Sequence, residues 1–274
     1  MNRLPHFIII GAMKAGTTSL YHYLRRHPEV AMSRVKETNF FLERNFSKGL
    51  EWYRQQFTDD ERIKGEASTN YTKFPTQKGV PERIYRSLPG VKLIYVVRDP
   101  ISRVRSHVHH NLLKGDEAEG AWKDKLEDLQ SHYIQCSLYY MQLEQYLAFF
   151  PPEQILIVTT EELNSQRKAT LQKIFRFIGV EDPGFYSPRY DQSKHTSSGR
   201  RKVRSRLIRE KLRHTPYYNF VASRLRFMIP SVEVKKPELT DSMISHLKAI
   251  FGPDVHQLRE YTGRGFKEWK YRYG

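Results

Sequence analysis

Short apolar runs alternate with stretches of helical periodicity along most of the chain. Five runs have the length and β-branched content of buried parallel strands: residues 6–10, 29–33, 63–68, 92–97 and 154–160. Helical spacing of apolar residues predicts helices over residues 17–27, 81–88, 101–113, 131–150 and 167–178. This alternation predicts an α/β fold, a doubly wound parallel sheet of about five strands flanked by helices. Ligands of such sheets bind at the carboxyl ends of the strands.

The rest of the chain carries no second strand–helix series, and we find no internal repeat or low-complexity tract. A helical portion is expected after about residue 185. The length of 274 residues suits one large α/β domain. We therefore predict a single domain over residues 1–274.

Composition indicates the cellular setting of the protein and the charge of its partners. No apolar run is long enough to cross a bilayer, and Cys136 is the single cysteine, which indicates a reducing, cytoplasmic setting. The formal net charge of +16 predicts an anionic ligand, polymer or surface as partner. Arginines are densest in residues 189–213, but this segment lacks the interleaved aromatic residues of a stacking platform. Nucleic acid is therefore not the expected partner.

The first apolar run leads into "GAMKAGTTSL", residues 11–20, which nearly matches the P-loop pattern G-x-x-x-x-G-K-[ST]. Gly11, Gly16 and Thr18 stand in place, but Thr17 occupies the lysine position and Lys14 lies inside the loop. A strand–loop–helix turn of this kind directs amides at an anion. The amides expected to do so are those of Ala15, Gly16, Thr17 and Thr18. The displaced lysine suits a single phosphate with a small substituent better than a triphosphate with a metal.

A second phosphate segment is "KLIYVVRDPISRVRSHV", in which a strand ends at Arg98 and Ser106 follows in the next helix. An arginine fork and a hydroxyl at a strand end can bind a phosphate monoester. Asp99 has two further interpretations. It can be the N-cap before Pro100, or a Walker B aspartate that shares Mg²⁺ with Thr18, as in a kinase.

Together these two segments resemble the 5′-phosphosulfate loop and the 3′-phosphate segment of sulfotransferases that use 3′-phosphoadenosine 5′-phosphosulfate (PAPS). The resemblance extends over nearly the whole chain, through "KETNFF", "KGLEWYRQQF", "GEASTNY", "SLYYMQLEQYLAFFPPEQI" and "GRGFKEW". These segments are most similar to the heparan-sulfate and glycan-type sulfotransferase domain and its bacterial relatives. The catalytic histidine segment of the cytosolic phenol and steroid enzymes is not found. The resemblance implies a P-loop-like fold, PAPS as cofactor and adenosine 3′,5′-bisphosphate (PAP) as product.

The resemblance also implies roles for individual residues. Glu37 matches the general base of the K-E segment, Lys14 would stabilise the leaving phosphate, and Lys36 would steady the sulfuryl oxygens or the acceptor. Glu66 is a second candidate, as base partner, as orienter of substrate or as a structural acceptor.

The family closes a loop over the 3′-phosphate, and "HTSSGRRKVRS" lies where that loop is expected. Its candidates are Ser197, Gly199, Arg200 and Arg201. Unlike the animal glycan enzymes, this sequence shows neither a disulfide around the loop nor a membrane anchor. No metal is expected; the run of His107, His109 and His110 lacks nearby cysteines, and a helix would separate its members.

The predicted reaction is in-line transfer of a sulfuryl group to a hydroxyl, or an amine, of an acceptor. The resemblance indicates a carbohydrate, and the positive charge favours an acidic saccharide. Two alternatives stay open: a Mg²⁺-dependent kinase with a degenerate P-loop, and a nonenzymatic binder of anionic polymers. Metal dependence separates them, because EDTA would abolish kinase activity and spare sulfuryl transfer.

Overall fold

A five-stranded parallel sheet forms the centre of the computed structural model, which describes residues 4–118, 120–191, 201–203 and 231–274. Its strands are β1 Phe7–Gly11, β2 Val30–Met32, β3 Ile63–Ala67, β4 Lys92–Val97 and β5 Ile155–Thr159, in the order β2-β3-β1-β4-β5. All four pairings are parallel. The carboxyl ends of β1, β3 and β4 therefore lie side by side at the middle of one sheet edge. The predicted fold class is confirmed.

The described helices pack around this sheet. They are α1 Thr17–Leu24, α2 Glu43–Phe46, α3 Gly49–Arg54, α4 Val80–Ser87, α5 Pro100–Lys114, α6 Asp124–Glu127, α7 His132–Gln135, α8 Tyr139–Leu147, α9 Thr160–Ser165, α10 Arg167–Ile178 and α11 Asp241–Thr262. Three 3₁₀ turns, at Thr69–Tyr71, Pro152–Gln154 and Pro188–Tyr190, complete the list. Buried apolar side chains from Phe7 to Tyr273 form one contiguous core. None of the helices in these described ranges is long and apolar enough to cross a membrane.

Two predicted helices differ from the observed ones for local reasons. The first ends at Leu24, because the amides of Arg26 and His27 bond three residues back and turn the chain toward β2. The helix predicted over residues 131–150 is divided into α7 and α8, because Asp254 accepts hydrogen bonds from the amides of Tyr140 and Met141 and thereby starts a new helix.

A short antiparallel pair also lies in the C-terminal portion, where only helix was expected. Strands β6 Arg201–Val203 and β7 Ser231–Glu233 pair with Arg201 opposite Glu233. The pair brings the segment before α11 back to the body of the protein. Three-residue strands give no usable hydrophobic alternation, so periodicity could not reveal them.

Asp254 gives the fold a pH dependence. Burial raises the pKa of this carboxyl group to about 6, although the amides of α8 favour its ionised form. Because the folded-state pKa lies above the unfolded value, the folded state holds the proton more tightly, and stability is lost as pH rises from about 4 to about 6. We expect a loss of about 3 kcal/mol from this group. Urea unfolding between pH 4 and 7 should show this component in wild type and not in Asp254→Asn; equal pH dependence in both would contradict it.

Candidate active site

The loop between β1 and α1 ends in a helix N-terminus suited to an anion. Gly16 has φ 87°, a left-handed conformation that glycine adopts without a Cβ penalty, and α1 follows directly. No side chain caps α1. The first amides of a helix have no intrahelical partner and point along its axis. The amides of Thr17 and Thr18 are therefore available to an anion, and their predicted contact with a phosphate stays a prediction.

Side chains from three other elements hold the carbonyl groups of this loop. Arg103 Nη1 donates to Met13 O at 3.4 Å, Arg98 Nη1 donates to Lys14 O at 3.4 Å, and Thr160 Oγ1 donates to Ala15 O at 2.6 Å. A peptide plane directs its N–H opposite to its C=O. Holding the carbonyls of Met13 and Ala15 inward therefore turns the amides of Lys14 and Gly16 outward. The sequence predicts Arg98 as a ligand of the 3′-phosphate rather than as a support of this loop, and it gives no signal for Arg103 or Thr160.

The amide of Ala15 departs from its predicted role. It donates to Ala12 O at 3.1 Å and thus closes a turn inside the loop. The amide of Gly16 belongs to the peptide whose carbonyl Thr160 holds. Gly16, Thr17 and Thr18 are therefore better placed as phosphate ligands than Ala15.

The second phosphate segment forms a cationic corner beside the loop. Arg98 directly follows β4, and Ser106 lies almost two helical turns into α5; both side chains are half-buried. Arg105 Nε donates to Pro237 O at 2.7 Å and His109 Nε2 contacts Val234 O at 2.8 Å, so residues 234–237 lie along α5. Lys236 therefore lies near Arg98 and Arg105. Partial burial and the positive charges of these two arginines lower its pKa.

Lys236 was missed by sequence analysis, because the two lysines before α11 stand more than a hundred residues from Arg98. Among the residues that the structure describes, neither Arg98 nor Lys236 forms an ion pair with a carboxylate. The Glu161 carboxylate interacts with Arg98 electrostatically but forms no direct ion pair with it. Cationic side chains without a direct ion pair are suitable donors for an anion.

Asp99 is a helix cap rather than a metal ligand. It is fully buried; Oδ1 accepts from Ser102 N at 2.7 Å, and Oδ2 accepts from Tyr271 N at 3.0 Å and Tyr273 Oη at 3.3 Å. Burial raises the pKa of this carboxyl group. With both oxygens occupied, Asp99 does not fit the Walker B role that the kinase alternative requires.

Glu37 lies in a loop held against the end of β3. Its amide donates to Ala67 O at 2.9 Å, and its carboxylate accepts from Thr69 N at 2.7 Å and forms an ion pair with Lys36. The carboxylate is 30% exposed, so it stays open to an acceptor. The Ser68 amide donates to Ile9 O at 3.1 Å, which joins this strand end to β1. Glu37 and Lys36 therefore share the sheet edge with the phosphate loop.

Glu66 is sealed from solvent. Its Oε1 accepts from Ser68 Oγ at 2.6 Å and Thr38 Oγ1 at 2.7 Å, and Tyr53 donates to Oε2. The residue is 0% exposed, and burial raises the pKa of its carboxyl group. Glu66 therefore cannot contact a sulfuryl acceptor. Among its three predicted roles, the structure fits that of a structural hydrogen-bond acceptor.

Two further cations, Lys73 and Arg103, lie near each other, and Lys73 lies near Glu37. Arg103 is fully buried and donates to Ser137 Oγ and Tyr133 O, both at 2.7 Å. Burial lowers the pKa of Lys73, and the nearby Glu37 carboxylate opposes this effect. Neither residue was found from the sequence, because an arginine inside a helix and a lysine in a turn are ordinarily solvated.

The proposed 3′-phosphate loop falls mostly outside the described residues. Ser197, Gly199 and Arg200 are among the residues not described, and for Arg201 the structure gives only its backbone, in β6. Their predicted contacts stay predictions.

The histidine run does not converge. His107 lies against Tyr133 with ring centroids 4.7 Å apart, whereas His109 contacts Val234 O. Within the described ranges, no group of three His, Cys, Asp or Glu side chains could hold a metal ion.

Comparison with known proteins identifies the family. The sulfotransferase domain family matches residues 4–259. Human heparan sulfate glucosamine 3-O-sulfotransferase 5 is 30% identical over 278 residues, which cover 96% of this chain and 74% of that protein. Human bifunctional heparan sulfate N-deacetylase/N-sulfotransferase 2 is 29% identical over 239 residues, which cover 74% of this chain but only 26% of that protein.

A solved sulfotransferase from Alicyclobacillus acidocaldarius has the same fold, with a TM-score of 0.69, 23% identity and coverage of 98% of this chain and 99% of that one. The family match spans both phosphate segments and the Glu37 loop. The chain belongs to the sulfotransferase domain family.

Proposed function

We propose that this protein transfers a sulfuryl group from PAPS to a hydroxyl group of a saccharide. The observation that carries the proposal is the meeting of the two phosphate segments: Arg98, at the end of β4, donates to the carbonyl of Lys14 in the loop after β1. One anion site is a helix N-terminus, and the other is a cationic corner beside it. This pair suits a nucleotide with one phosphate at each end of its ribose.

The residues fit the cofactor without a metal ligand set. The amides of Gly16, Thr17 and Thr18 would hold the 5′-phosphate, while Arg98, Ser106 and Lys236 would hold the 3′-phosphate. PAPS, when bound, supplies a sulfuryl group attached to that 5′-phosphate. Lys14 would stabilise the charge that develops on the phosphate oxygen released from sulfur.

Glu37 would act as the general base. Its carboxylate is partly exposed at the sheet edge next to the loop, and Thr69 fixes its orientation. A base must lie within hydrogen-bond reach of the proton it takes. The acceptor hydroxyl would thus lose its proton to Glu37 as its oxygen bonds to sulfur. Lys36, paired with Glu37, would steady the sulfuryl oxygens or the acceptor.

The names of the relatives support a saccharide acceptor. Both human proteins are described as acting on heparan sulfate. Lys36 and Lys73 lie beside Glu37, and such cations favour an acidic chain through charge complementarity. We infer an acidic saccharide as acceptor. An unsulfated heparan backbone is the first compound to test, with sulfate position read by mass spectrometry to separate oxygen from nitrogen transfer.

The cofactor is tested by calorimetry with PAP in the presence of EDTA, beside ATP with Mg²⁺. We expect micromolar or tighter binding of PAP and a loss of about 2–3 kcal/mol in binding free energy in Arg98→Ala, because a charge-assisted contact to phosphate is removed. Arg54→Ala is the control, since Arg54 lies on α3 and pairs only weakly with Glu51 at the surface. Preference for ATP with Mg²⁺ would overturn the proposal in favour of the kinase alternative.

A further inference from the structure

Glu66 occupies a position that the proposed reaction does not use directly. It is a fully buried carboxylate, and among the described residues it forms no ion pair. Its partners are hydroxyl groups. Burying an acid whose partners are all hydroxyl groups costs folding free energy. This cost favours a functional role for Glu66.

The loop that contains Glu37 has an unfavourable backbone. Glu37 has φ 64° and Asn39 has φ 52°, so two non-glycine residues flank Thr38 in the left-handed region. Residues in this region persist only when surrounding contacts hold them there. The loop thus depends on the groups that anchor Thr38 and Asn39. Asn70 and Asn45 donate to Asn39.

Two hydroxyl groups add to this anchoring, and both donate to Glu66. Thr38 Oγ1 donates to Glu66 Oε1 at 2.7 Å, and Ser68 Oγ donates to the same oxygen at 2.6 Å. A hydroxyl has one proton to donate, so each then has only lone pairs for other partners. Ser68 Oγ accepts from Asn39 N at 3.0 Å, and Thr38 Oγ1 accepts from Phe40 N at 3.4 Å.

We propose that Glu66 is a positioning residue that holds the Glu37 loop in its working conformation by orienting the hydroxyls of Thr38 and Ser68. The catalytic part of this inference rests on the proposed function of Glu37. Glu66 itself touches neither substrate nor cofactor. A displacement of the base by about 1 Å is enough to lower turnover about a hundredfold.

The chain offers a matched control in Tyr53. Its hydroxyl also donates to Glu66, but to the other oxygen, and its ring stacks on Phe40 with centroids 4.4 Å apart. Tyr53→Phe removes one hydrogen bond from the same buried carboxylate and keeps the ring. It should lower the melting temperature about as much as Thr38→Val or Ser68→Ala without releasing the loop.

The test compares Thr38→Val, Ser68→Ala and Tyr53→Phe by hydrogen exchange of peptides covering residues 36–42 in the protein without added nucleotide. We expect amide exchange to accelerate about tenfold or more in Thr38→Val and Ser68→Ala, since the loop opens locally, and to stay within about twofold in Tyr53→Phe. Equal exchange in all three variants would overturn the inference. This readout needs no acceptor, so it stands even if the proposed function fails.

Turnover with radiolabelled PAPS and an unsulfated heparan oligosaccharide gives the second readout. Thr38→Val and Ser68→Ala should lower kcat about ten- to a hundredfold with PAP affinity unchanged. Glu66→Leu should match them, whereas Glu66→Gln keeps an acceptor oxygen for both hydroxyls and should stay within about threefold of wild type. If Thr38→Val and Ser68→Ala are as active as Tyr53→Phe, Glu66 does not position the base. A wild type that neither binds PAP nor transfers sulfate refutes the proposed function instead.

Discussion

Glu37→Gln should reduce kcat by about two to four orders of magnitude, the usual contribution of a general base. Glutamine retains the size of the side chain and an oxygen that can accept from Thr69 N, the contact that orients Glu37 at 2.7 Å. It cannot take a proton from the acceptor. PAP affinity should stay within about threefold of wild type, because none of the groups proposed to hold the nucleotide is altered.

The measurement is initial-rate turnover of radiolabelled PAPS with the unsulfated heparan acceptor, beside calorimetry with PAP. Glu43→Gln serves as the control, since Glu43 is an exposed glutamate on α2, six residues further along the chain. Turnover above about a tenth of wild type in Glu37→Gln would show that another group takes the proton.

Lys14→Ala is expected to lower kcat about a hundred- to a thousandfold, the effect of removing one group that stabilises charge in a transition state. The alanine has a Cβ, as lysine does, so the left-handed backbone at φ 69° imposes a similar cost in both proteins. PAP affinity should fall less than kcat, because the charge on the released oxygen is largest as the bond to sulfur breaks.

Lys78→Ala is the control for this substitution, since Lys78 is an exposed lysine in the turn before α4. Melting temperatures of both variants should match wild type within a few degrees, which separates chemistry from stability. Near-normal turnover in Lys14→Ala would contradict the role of this lysine.

The strands could be predicted well because the parallel sheet is buried on both faces. Each core strand is then a short continuous apolar run, and β4 Lys92–Val97 coincides with the run expected from the sequence. Helix ends were less predictable. The break between α7 and α8 depends on Asp254, a residue more than a hundred positions away that only tertiary packing brings to the amides of α8.

The residues of the candidate site also fall into two groups, those that the sequence indicates and those that only tertiary packing reveals. Lys14 and Arg98 lie in contiguous motifs next to strand ends, so local sequence was enough to propose them. Glu37 was proposed through the family resemblance, because a glutamate beside a lysine in a loop is ordinarily a solvated ion pair. Arg103, Thr160 and Lys236 act on the same loop and corner, yet each is an ordinary residue in its own segment. Their roles arise from contacts between strands and helices that no local pattern records.

The hydrogen bonds from Tyr271 and Tyr273 to Asp99 set an order of assembly. During synthesis the chain emerges from the ribosome from its N-terminus, and the sheet strands β1 to β5 are complete long before residue 271 appears. Asp99, next to Arg98, can acquire these two partners only after residues 271–273 have emerged from the ribosome. The cationic corner is thus finished after the core around it, and a nascent chain halted before Tyr271 would have its sheet but lack these two hydrogen bonds to the residue beside Arg98.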